Sequence, residues 1–172
     1  MRVSISPPPP TPEWTAPKLK LRVDDLAHEG TVVFFSAVQP GAVLRRAVDA
    51  SIRWLYPPGK APTHVEQVLL VLTPMEGVAH TSGTRTHKEI RLSLDYIYAC
   101  RDRAEAEITG VLVHEMVHCF QHDAGGTCPG GLIEGIADYV RLNEGLAPPH
   151  WMQQEGNGWD SGYETTAQFS GR

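Results

Sequence analysis

Apolar positions along this 172-residue chain recur in two rhythms. In KLKLRV (18–23) and EIRLSLDYIY (89–98) they alternate, with Leu19, Leu21 and Val23, or Ile90, Leu92 and Leu94, set against charged or polar neighbours. A period of two turns one face of a strand inward. TVVFFSAV (31–38) and HVEQVLLVLT (64–73) run apolar at strand length and are rich in β-branched residues, so both are expected to be strands. A short strand is expected at Val78–Ser82, inside an otherwise turn-rich connection.

The second rhythm is helical. PGAVLRRAVDASIRWLY (40–56) has Pro40 near its start and an apolar stripe through Val43, Ala47, Ala50, Ile52 and Trp54, ended by Pro57-Pro58-Gly59. A second helix is expected from Asp102, with Glu105 completing a capping box, through Ile108, Leu112, Met116 and Phe120 to Gly125-Gly126. A third follows Pro129-Gly130-Gly131 and closes at Gly145. Strands first and helices later predict an α+β fold.

Composition narrows the class. A 41% hydrophobic content supports one domain with its own core over 18–172, preceded by an extended tail (1–17) holding six prolines. The net charge of −5 and scattered Lys and Arg argue against nucleic acid as a partner. No apolar run reaches the length of a membrane span, and no secretory signal is visible before the prolines, so the default expectation is cytoplasmic. Three cysteines without a CxxC pair give neither a disulfide framework nor a cysteine-cage metal site. Cys119 and Cys128 would be the pair to bridge in an oxidising compartment. Nothing in the pattern sets an oligomeric state.

The candidate chemistry lies in LVHEMVHCFQH (112–122). On a helix, residues four apart lie about 6 Å along the axis and nearly on one face, so His114 and His118 can converge on one zinc ion. Glu115 is offset by one residue and can reach a water held there; that is the physical content of the HExxH pattern. Burying these three groups unpartnered in so apolar a helix would cost several kcal/mol, which a metal offsets. Gln121 and Ala124 stand where a further Gly and His ligand pattern would need them, which closes that branch. His122 lies about 12 Å from His114 along the axis, too far to share the ion, and reads as a helix-end residue. The better third ligand is Glu134, separated from His118 by fifteen residues, on a helix that can fold back. Asp138, four further on, can accept a hydrogen bond from the free nitrogen of a zinc-bound imidazole. Gly135 would allow close approach of the two helices. Metal-activated water with Glu115 as general base would hydrolyse a peptide or protein substrate. Tyr163 is the first candidate for stabilising the oxyanion and His150 the second; His80 and the strand at 78–82 would line the cleft.

The segments HEMVH, PGGLIEGIADYVRL and WDSGYETTAQF, with GVAHTSG and KEIRLSLDYI upstream, resemble the basic secretory protein family of plants and fungi. The likeness is strong from about residue 65 and looser over 18–64. It implies a zincin-like metallopeptidase: a twisted mixed sheet packed on the HExxH helix, then a second ligand-bearing helix. His114, His118 and Glu134 would hold Zn2+, Glu115 would be the base, and Asp138 would stand behind. It also implies a typically secreted protein, and a domain lacking its C-terminal part. The alternative is a catalytically silent zincin fold used for binding.

Overall fold

QVLLVLT lies at the centre of the core, because strands pair with it on both sides. The computed structural model describes residues 14–149 and 151. In chain order the elements are β1 (Lys18–Val23), α1 (Glu29–Ala37), α2 (Pro40–Leu55), β2 (Gln67–Thr73), β3 (Ala79–Gly83), β4 (His87–Ser93), α3 (Leu94–Ala99), a 3-10 turn (Arg101–Arg103), α4 (Ala104–Phe120) and α5 (Gly130–Asn143). The fold is α+β. Its sheet has the order β1-β2-β4-β3, with β1, β2 and β4 parallel and β3 antiparallel on the edge.

Alternation decides which face is covered. Val68, Leu70, Leu72, Ile90 and Leu92 point into a core shared with Val43, Leu44, Ala47 and Val48 of α2 and with Ile108, Leu112, Met116 and Phe120 of α4. Residues of opposite parity, such as Arg22, Glu89 and Arg91, lie on the other face, where Arg22–Asp24 and Arg91–Glu89 pair near water. α2 starts at Pro40, whose missing N–H costs nothing in a first turn, and Gln39 accepts from the Ala42 N–H. α4 is buried on nearly every side, between α2, the sheet and α5.

Four expectations need correction. Residues 31–38 form most of α1 rather than a strand. A short, uniformly apolar run carries no periodicity to separate the two, and here the His28 Nδ1 accepts from the Gly30 N–H to start a helix. The alternating segment 89–98 leaves the sheet at Ser93, whose hydroxyl caps α3 by accepting from the Tyr96 N–H. The capping box from Asp102 does not form: those residues make the 3-10 turn, and α4 begins at Ala104 without a side-chain cap. α4 also ends at Phe120, five residues short of Gly125, and a turn with left-handed Ala124, Gly125 and Gly126 returns the chain to α5. The close of α5 at Gly145 (φ 72°) is as expected.

α4 and α5 are pinned side by side below the site. Arg141 of α5 crosses Gly110 of α4, where a Cβ would stand 2.6 Å from Nε. Its Nη2 donates to buried Glu107 at 3.0 Å, and Glu107 also accepts from Tyr96 at 3.0 Å and pairs with Arg103 at 2.9 Å. Gly110 is thus a passage for a guanidinium, which outweighs its poor helix propensity.

Candidate metal centre

Two turns of α4 and the first turns of α5 bring three side chains together. His114 Nε2 lies 3.1 Å from His118 Nε2 and 3.1 Å from Glu134 Oε2, and His118 Nε2 lies 3.6 Å from the same oxygen. These three residues could hold a metal ion. A tetrahedral zinc with bonds of about 2.0–2.1 Å would separate its ligand atoms by about 3.3 Å. The observed spacings bracket that value, so the donors fit a single ion.

The protons point the same way. His114 Nδ1 is 2.8 Å from Asp138 Oδ1, which fixes the proton on Nδ1 and directs the Nε2 lone pair toward the other two donors. Asp138 is 1% exposed and its Oδ2 has no partner among the described residues. Such a carboxylate demands positive charge nearby. Burial works against charging His114, yet its hydrogen bonds to Asp138 and Glu134 prevail and raise its pKa to about 9. Hydrogen bonds from His114 and His118 hold the Glu134 carboxyl far below its ordinary range.

Glu115, 7% exposed, meets the edge strand. The Thr81 hydroxyl of β3 lies 2.7 Å from its Oε2 and 2.9 Å from its backbone carbonyl oxygen, so one proton is shared between them. His118 has a different support: Gln121 Nε2 is 3.1 Å from His118 Nδ1 and donates to the Ile133 carbonyl at 3.3 Å. Gln121 Oε1 is buried without a partner among the described residues.

All four sequence candidates for ligation and support, His114, His118, Glu134 and Asp138, meet here, with Glu115 beside them. Tyr163 and His150 lie outside the described residues. His80 and His122 both line the same cleft, His122 from an exposed position just beyond the end of α4. Thr81 and Gln121 are functional candidates that the sequence reading does not supply. Thr81 is 34 residues from Glu115 and meets it only through sheet topology; Gln121, three after His118, is legible in principle as a helix-end neighbour. Cys119 is a free, buried thiol whose pKa is pushed up to about 12 by burial, and Cys128 is also free, so no bridge joins them.

The cleft encloses about 1260 Å³ and is walled by β3, the end of α4, the start of α5 and the loop before β2. The family model of BSP, described as peptidase of plants and bacteria, matches residues 16–171. The match therefore covers both the strongly and the loosely similar stretches of the sequence, and it gives bacteria where the sequence likeness suggested fungi. No curated protein and no solved structure matches the chain.

Proposed function

Because the chain belongs to the BSP family, peptidase of plants and bacteria, we propose that it is a zinc-dependent peptidase of zincin-like arrangement. The observation that carries this reading is the convergence of His114, His118 and Glu134 at 3.1–3.6 Å beside a buried Glu115. Two imidazoles and a carboxylate also suit ferrous iron; a buried carboxylate next to the first ligand, in a peptidase family, favours hydrolysis.

His114, His118 and Glu134 would hold the ion, with Asp138 and Gln121 orienting the two imidazoles. Bound there, zinc would supply Lewis acidity and bring the pKa of water down toward about 7. The chain's own residues do the rest. Glu115, fixed by the Thr81 hydroxyl, receives the proton of the attacking water and passes it to the leaving amine nitrogen. β3 is the edge of the sheet and borders the cleft through Ala79, His80 and Thr81. An extended peptide can add to that edge by main-chain hydrogen bonds, which would lay its scissile amide over Glu115. Tyr163 is the side chain proposed to stabilise the oxyanion.

The test is cleavage of a denatured protein substrate by zinc-loaded wild type and by Glu115→Gln of equal metal content. Loss of a general base predicts a fall in kcat of about 10²-fold or more. Equal cleavage by both would remove Glu115 as the base, and two inert zinc-loaded proteins would favour the silent binding fold instead.

A further inference from the structure

The far end of the cleft, beyond His118, differs in charge from the rest of the molecule. Lys60 and His64 reach it from the loop before β2, Arg85 from the β3–β4 turn, Lys88 from the start of β4, and His122 from the chain leaving α4. Lys88 belongs by register to the helix-facing side of the sheet, two residues before Ile90. A cation at a core-facing parity is expensive unless the wall opens to water or to an anion. Among the described residues none of Lys60, Arg85 and Lys88 has an ion-pair partner. Partial burial and the charges of Arg85, Lys88 and His122 hold His64 below its usual range, so the cations act on one another. Outside the metal centre, the one carboxylate lining the cleft among the described residues is Asp123, and its Oδ1 already accepts from the Gly125 N–H.

We propose that this end of the cleft is a subsite for an acidic side chain of the peptide substrate, recognised by Lys60, Arg85 and Lys88 with His64 and His122 beside them. The inference rests on the peptidase reading for its substrate, but not for its electrostatics. A chain of net charge −5 repels polyanions as a whole. A local basic recess beside an extended-peptide edge selects instead for one or two carboxylates presented on a short strand.

The experiment separates the two ideas by measuring binding apart from cleavage. Fluorescent hexapeptides carrying Glu, Gln or Lys at each position in turn are titrated against zinc-loaded Glu115→Gln protein by anisotropy. At low salt the best Glu peptide should bind about tenfold tighter than its Gln counterpart, the order expected of two or three exposed ion pairs together. The preference should shrink to about twofold near 0.5 M salt. The charge reversal Arg85→Glu, on an exposed turn, should turn the preference toward the Lys peptide. Equal binding of Glu and Gln peptides, no binding of any peptide, or tighter binding of a single-stranded oligonucleotide would overturn the proposal. Acid-selective binding with no cleavage by wild type would uphold the subsite while removing the peptidase reading.

Discussion

His114 and His118 are the same residue type one turn apart, yet the fold orients them by different chemistry. His114 has a buried carboxylate behind it, and His118 has the neutral amide of Gln121. Gln121 Nε2 also donates to the Ile133 carbonyl of α5, so the amide that meets His118 Nδ1 is anchored and holds the plane of the imidazole. Gln121→Leu should therefore weaken zinc binding by about ten- to hundredfold, with the far-UV circular dichroism of the metal-free protein unchanged. An unaltered zinc affinity would remove Gln121 from the site. The pH dependence also belongs to single residues. The His114 imidazole is raised from an ordinary 6.5 to about 9 in the folded chain. Its contribution to the stability of the metal-free protein is full below pH 6.5 and is lost as pH rises through about 9. Binding of an ion must displace that proton, so zinc affinity should rise about tenfold per pH unit within this window. Competitive titrations in that range that show a flat affinity would contradict the assignment. His114, His118 and Glu115, and the pair Glu134 and Asp138, are legible in the sequence because helical spacing sets each group on one helix and the short connection folds the second helix back on the first. Thr81 is not, since only the antiparallel pairing of β3 with β4 brings it to Glu115.

Among the elements, α4 and α5 are legible in kind. Their imidazoles and carboxylates interrupt apolar helical stripes, and such groups enter a core only when they meet one another or an ion. α1 is not legible in the same way. VVFF offers apolar residues at every position, and such a run satisfies a buried strand and a helix equally. The His28 cap starts the helix, and Gly30 in its first turn packs so closely on α3 that a Cβ would lie 2.1 Å from the Leu94 carbonyl oxygen. Gly30→Ala should then destabilise the fold by about 2–3 kcal/mol, as forced overpacking does, despite alanine's better helix propensity. A urea unfolding midpoint at or above that of wild type would show that α1 can shift at no cost. The sequence places the end of α4 five residues too late for a related reason. Gly125-Gly126 signals a stop, but the helix has already stopped where Gln121 takes extended backbone (φ −68°, ψ 152°). That early exit lets the Gln121 side chain lie between His118 and Ile133.

Over the whole molecule, one covered sheet face builds the core and the edge strand opens beside the His114, His118 and Glu134 cluster. Among the described residues no helix is long and apolar enough to cross a membrane. The Glu107–Arg141 pair holds α4 against α5 from below, and an ion held by His114, His118 and Glu134 would join the same two helices from above. Whether one ion joins α4 to α5 is decided by a zinc titration followed by native mass spectrometry. Wild type should take up one zinc per chain, and Glu134→Ala should bind it more than about a hundredfold more weakly, since an inner ligand outweighs an outer partner. A wild-type chain that takes up no zinc, or a Glu134→Ala chain that binds it as tightly as wild type, would rule out a zinc site shared by the two helices.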